Sequence, residues 1–176
     1  MIRPADPERD AAACAAIYAP HVLDGPASFE EVAPDAGEMA ARMRAVQATH
    51  QWLVAERDAR VVGYAYASRH RERAAYRWSC DVAVYVDATA HRRGVGRALY
   101  QALLALLAEQ GFHMAIAGIA LPNAASVGLH EALGFEPIGV YREIGFKHGA
   151  WRDVGWWQLR LGSGATPPAE PLPPAQ

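Results

Sequence analysis

Along this chain the spacing of apolar side chains switches between two and three-to-four residues, and the switches mark out the elements. Met1 to Arg3 reads as a short first strand, and Asp6-Pro7-Glu8 as the cap and first turn of a helix reaching Ala19. Residues 20–34 are broken by Gly25, Pro26 and Pro34 and read mostly as loop with helical pieces, and Glu38 to Ala48 as a second helix. Trp52–Ala55 and Val61–Ser68 alternate around Arg57-Asp58-Ala59-Arg60, the pattern of a hairpin. After a polar excursion from Arg69 to Arg77, Cys80, Val82, Val84 and Val86 recur at every second position, which predicts a strand over 78–86. Val95, Ala98, Leu99, Ala102, Leu103, Leu106 and Leu107 then recur at three and four, one buried face of a long helix. Met114–Ala120 is the next strand, and Asn123 caps a helix running to Leu133 and stopped by Gly134. Pro137–Phe146 and Asp153–Leu161 pair across the Lys147-His148-Gly149-Ala150 turn. The alternation predicts one α/β domain over residues 1–161.

Composition sharpens this in three places. Residues 162–176 are rich in proline and small residues and poor in large apolar ones, so a solvated, disordered tail is expected there. The net charge of −2 gives no general case for nucleic acid, but arginines cluster at 69–77 and 92–97, a pattern suited to local anion binding. Cys14 and Cys80 have neither metal-ligand nor disulfide spacing and read as core thiols, and no metal site is expected. Met1-Ile2-Arg3-Pro4 leads straight into acidic residues and no apolar run is long enough to span a bilayer, so a cytoplasmic protein without membrane contact is expected.

The chemistry concentrates at His91-Arg92-Arg93-Gly94-Val95-Gly96, between the alternating strand and the long helix. Two glycines in such a turn let backbone N–H groups converge, and the helix start behind them adds partial positive charge, which together suit a phosphate or pyrophosphate. No Gly-Lys-Ser/Thr tripeptide follows, so a Walker loop is excluded, and the third glycine of a dinucleotide fold is missing. Alone, the turn is equally consistent with a tight connection carrying a solvated basic edge.

With Leu121-Pro122-Asn123 and Leu129-His130-Glu131-Ala132-Leu133-Gly134-Phe135 added in order, the chain resembles the GNAT acyltransferases. The resemblance covers nearly everything before the tail. It is strongest to the phosphinothricin and methionine-sulfoximine N-acetyltransferases, through Trp52-Leu53-Val54-Ala55-Glu56, Val84-Tyr85-Val86, Lys147-His148-Gly149 and Trp151-Arg152-Asp153-Val154-Gly155. It implies the GNAT fold, a mixed central β-sheet with flanking helices, acetyl-CoA as donor, an amino-acid-like acceptor and a homodimer. The pyrophosphate is expected on the turn His91, Arg92, Arg93, Gly94, Val95, Gly96 and Arg97, where His91 stands in a slot usually held by Gln or Arg. The pantetheine arm is expected beside Val84, Tyr85 and Val86, with an N–H near Val84 polarising the thioester carbonyl, and Asn123 and Ser126 near the thiol end.

Acetyl transfer to an amine needs a proton removed from the ammonium and benefits from one given to the thiolate. The resemblance assigns the first task to the position of Asp81, where the family has glutamate; the shorter side chain favours a relayed proton. It assigns the second to His130, otherwise a packing histidine. Phe29, Arg71, Arg73 and Tyr76 match the acceptor pocket, guanidinium groups suiting carboxylate, phosphinate or sulfone oxygens. Tyr141, Lys147 and His148 are further acceptor-site candidates. Trp151, Trp156 and Trp157 read as core or dimer contacts. Acetylation of another small amine and a non-catalytic CoA-binding module stay open.

Overall fold

The computed structural model describes residues 1–162 and 164–174. A seven-stranded sheet carries the chain in the order β1-β2-β3-β4-β5-β7-β6. Its strands are β1 (Ile2–Pro4), β2 (Trp52–Arg57), β3 (Arg60–Arg69), β4 (Ser79–Val86), β5 (Met114–Leu121), β6 (Glu136–Lys147) and β7 (Ala150–Arg160). Every neighbouring pair is antiparallel except β4 and β5. Helices α1 (Pro7–Leu23) and α2 (Ala36–Gln47) cover one face of the sheet, and α3 (Val95–Glu109) and α4 (Ala124–Ala132) lie toward the other.

The two faces follow from strand alternation. Leu53, Ala65, Cys80 and Val82 turn toward Leu99, Leu103 and Leu107 of α3, all buried. Trp52, Val54 and Tyr64 turn toward Cys14, Tyr18 and Val22 of α1 and Met39 and Met43 of α2. On that second face an aromatic row crosses three strands, with Trp52 stacked on Tyr66 at 4.4 Å and Tyr64 against Tyr85 at 5.3 Å. Cys14 and Cys80 are both buried free thiols.

One feature directs the rest of the molecule. β4 and β5 pair only over Ser79↔Met114, Cys80↔Ala115 and Asp81↔Ile116. Beyond Asp81, β4 stays with β3 as far as Val86, while β5 stays with β7 as far as Leu121. The strands therefore diverge, and a cleft opens between them from residue 82 onward.

The first helix is longer than its sequence suggests, running through Pro20 to Leu23 rather than ending at Ala19. A proline in a last turn removes one N–H and strains the turn before it. Here tertiary contacts outweigh that: Val22 is buried in the core, and its carbonyl, one of those a helix end leaves unpaired, accepts from Lys147 Nζ at 2.6 Å.

The same ammonium donates to Ser28 O at 2.5 Å and Glu30 O at 2.8 Å. Lys147, expected as an acceptor-site residue, is thus buried and saturated by backbone carbonyls. It ties the loop after α1 to the end of β6. Glu30 adds a bridge to Arg42 of α2 and accepts from the Tyr18 hydroxyl, so one network fixes the loop that carries Phe29.

Residues read as a solvated tail lie against the domain in their described part. Trp78 Nε1 donates to Ala169 O at 2.7 Å, Arg77 pairs with Glu170 at 2.7 Å, and Leu172 exchanges hydrogen bonds with Gln110. These contacts use backbone groups and one carboxylate, which composition does not report. Ser163, Ala175 and Gln176 lie outside the described residues.

Replacing Lys147 by methionine keeps the volume but leaves three carbonyls without a donor. At about 1 kcal/mol for each buried unpaired group, the loss is about 3 kcal/mol, or roughly 10 °C in Tm for a domain of this size. A thermal melt of Lys147→Met shifted by less than ~2 °C would contradict this role.

Candidate active site

The opening between β4 and β5 forms a cavity of about 630 Å³. Asp87 N donates to Val62 O on β3, so alternation turns the N–H and C=O of Val84 and Val86 to the opposite edge of β4, toward the cleft. Backbone groups on that edge have no strand partner. Val84, Tyr85 and Val86 all line the cavity.

At the far end the cavity meets the glycine turn. Arg92 and Gly94 hold the left-handed backbone, with φ of 57° and 76°, and Gly94 is the N-cap of α3 without a capping side chain. The N–H groups at the start of α3 therefore have no side-chain acceptor. His91, Arg92, Gly94, Val95, Gly96 and Arg97 line the cavity, while Arg93 does not. His91 also folds back, its Nε2 donating to Val86 O at 3.0 Å. The off-pattern histidine thereby fastens the turn to the end of β4.

Asn123 and Ser126 line the opposite wall, the Asn123 side chain accepting from Ser126 N to cap α4. His130, one turn further on, is buried and lines the same wall. Its Nδ1 donates to Ser126 O at 2.7 Å, which leaves Nε2 to accept from the Tyr100 hydroxyl at 3.0 Å. Burial pulls the imidazole below its ordinary pKa, against the Ser126 carbonyl bond, so the neutral ring is favoured. Tyr100, on the buried face of α3, also lines the cavity. Sequence reasoning missed it because at its position on α3 it reads as one more core residue.

Asp81 stands where β4 and β5 part, on the Tyr85 side of the sheet, and lies outside the cavity lining. His130 is on the α3 side, so the two candidate proton-handling groups sit on opposite faces. The Asp81 carboxylate is bonded through Oδ1 to His70 Nδ1 at 2.7 Å. Burial raises the Asp81 carboxyl above the usual carboxylate value, while His70 and Arg71 pull it down.

Arg71, Arg73 and Tyr76 follow on the exposed segment after β3. The Arg71 guanidinium lies 6.0 Å from the Trp156 ring centroid and Arg73 makes no ion pair among the described residues. Phe29 packs on Gly145, where a Cβ would fall 2.3 Å from its ring, so only glycine accommodates it. The four acceptor-site candidates lie outside the cavity lining.

Residues 4–156 match the family described as "Acetyltransferase (GNAT) domain". This chain belongs to the GNAT acetyltransferases. It is 45% identical to the phosphinothricin N-acetyltransferase of Alcaligenes faecalis over 159 residues, 89% of this chain and 81% of that protein. The L-methionine sulfoximine/L-methionine sulfone acetyltransferase of Salmonella typhimurium is 34% identical over 96% of this chain and 98% of its own length. Among solved structures, the Sinorhizobium meliloti phosphinothricin acetyltransferase in complex with acetyl-CoA superposes with a TM-score of 0.92. It is 38% identical, with 97% of this chain and 93% of that one covered. The chain is accordingly an acetyl-CoA-dependent N-acetyltransferase with the mixed-sheet GNAT fold. Among the described residues no helix is long and apolar enough to cross a membrane.

A β-branched side chain at Gly94 would strain the left-handed turn by about 1–2 kcal/mol. Gly94→Val is expected to raise the acetyl-CoA Kd about tenfold in calorimetry, with the acceptor KM unchanged. An unaltered Kd would separate the turn from donor binding.

Proposed function

We propose that this enzyme acetylates the α-amino group of small amino-acid-like acceptors bearing a second, strongly polar oxygen group, of the phosphinothricin, methionine sulfoximine or methionine sulfone type. The carrying observation is the pair of guanidinium groups of Arg71 and Arg73, neither in an ion pair among the described residues and Arg71 bonded only to its neighbour's carbonyl, on the segment that leads to Asp81 at the apex of the cleft. Planar guanidinium groups present paired donors that match carboxylate, phosphinate or sulfone oxygens. Phe29 and Tyr76 supply apolar walls for the acceptor's carbon chain.

In this reading the pyrophosphate of acetyl-CoA rests on the amides from Gly94 to Arg97, with Arg92 and Arg93 adding charge. The pantetheine arm replaces the missing strand partner of Val84 and Val86. The Val84 N–H donates to the thioester oxygen as it gains charge in the transition state. Asp81 takes part in removing the ammonium proton, and the departing thiolate draws a proton from the Tyr100–His130 pair.

A homodimer fits the same reading. The last hairpin exposes Ile138, Ile144, Phe146 and Trp151, each more than half accessible, on an edge that a second copy would cover. Use of acetyl-CoA as donor supports work in the cytoplasm, and removal of a toxic amino-acid analogue is the role such acceptors suggest.

An acceptor screen following thiol release from acetyl-CoA tests the assignment. Methionine sulfoximine, methionine sulfone and phosphinothricin are expected to exceed unmodified amino acids and polyamines by about tenfold or more in kcat/KM, the loss a missing charged hydrogen bond brings. Arg73→Ala should raise the KM of the acceptor at least ~10-fold while leaving that of acetyl-CoA within about twofold. Turnover of polyamines alone, or equal effects on both KM values, would contradict it.

A further inference from the structure

The proton route from the acceptor ammonium contains a group that the resemblance does not supply. His70 is the residue after the end of β3, and its Nδ1 lies 2.7 Å from Asp81 Oδ1. An ionised carboxylate only accepts, so Nδ1 carries the ring proton and Nε2 carries the lone pair. Among the described residues no protein group bonds to Nε2. The ring is held on its other side by Tyr76, edge to face at 5.7 Å between centroids, and its side chain is 12% accessible. This is a fixed imidazole with a chosen tautomer and an unused base.

Its place in the fold matches the task. Asp81 is the last β4 residue paired with β5, so the His70–Asp81 pair stands where the cleft closes and a thioester running along β4 would end. His70 is also directly joined to Arg71, whose Nη1 donates back to His70 O at 2.8 Å. Base and anion-binding guanidinium thus share one short segment. Asp81, one methylene shorter than glutamate, has its carboxylate engaged by the ring. The imidazole carries basicity from the strand toward the acceptor segment.

We propose that His70 Nε2 is the general base of this enzyme, and that Asp81 is its positioning carboxylate. This rests on the acetyl-transfer reading above and specifies its first proton step. His70 takes one proton from the acceptor ammonium, R–NH3⁺ becoming R–NH2. The nitrogen lone pair attacks the thioester carbonyl, the C–N bond forms, and the C–S bond breaks as the tetrahedral adduct collapses and the nitrogen loses a second proton. One proton ends on the CoA thiol and the other passes from the imidazolium to water. Asp81 steadies the imidazolium and holds Nδ1 protonated, the carboxylate's part in a His–Asp pair.

The test uses the full chain with methionine sulfone as acceptor. His70→Ala should lower kcat by about 10²-fold, a typical contribution of general-base catalysis, with the acetyl-CoA KM within about twofold. Added imidazole should restore activity at least ~10-fold, a rescue a merely structural role does not give. His70→Gln should behave alike if the loss is chemical rather than a folding defect. Asp81→Asn should lower kcat without gaining from imidazole. Independently of any acceptor, ¹⁵N NMR of the wild-type imidazoles should show His70 protonated at Nδ1. Wild-type turnover in His70→Ala, a loss imidazole does not reverse, or an Nε2-protonated His70 would each overturn the assignment. No acetylation of any compound by the wild type would instead strike the acceptor reading, and the NMR tautomer would still decide the fate of the His70–Asp81 pair.

Discussion

The early parting of β4 and β5 is the constraint on which this structure depends. Each strand is committed along its length to a different neighbour, β4 to β3 and β5 to β7, and they share only the register from Ser79 to Asp81. Unpaired backbone groups on an inner strand are costly unless water or a ligand satisfies them. A sheet that leaves them open in its middle is shaped for an extended ligand with amide groups of its own. The glycine turn stands at one end of that open edge and Asp81 at the other.

The proton-handling pairs proposed above lie on opposite faces of the sheet. The His70–Asp81 pair and the arginine segment stand on the side of α1 and α2, where an acceptor can approach from solvent. The Tyr100–His130 pair stands on the side of α3 and α4, enclosed by the apolar core. Burial favours a neutral His130. The Lys147 network holds the loop that carries Phe29 through three backbone carbonyls.

Much of this was legible in the sequence, for reasons that also explain what was not. Strands and helices announce themselves by local period, so β4, α3 and the closing hairpin could be placed from Cys80–Val86, Val95–Leu107 and the last strand pair. The glycine turn was legible because its determinants, two glycines and a helix start, are contiguous. Parting of β4 from β5 was not, since each reads as an ordinary strand and divergence is a property of their partners. Nor were His70–Asp81 and Tyr100–His130, pairs joined only by the fold. Helix α1 overran Pro20 because burial of Val22 and a donor from Lys147 at the far end of the chain offset what proline removes. The contacts of Ala169, Glu170 and Leu172 were hidden because backbone hydrogen bonding leaves little trace in composition.

In the function proposed above, acetyl-CoA completes the interrupted sheet along the open edge of β4. Residue-resolved amide exchange, with and without acetyl-CoA, reads out that pairing. Binding is expected to protect the amides of Val84 and Val86 together with those from Gly94 to Arg97. Binding that leaves the Val84 and Val86 amides exchanging as in the free protein would contradict it.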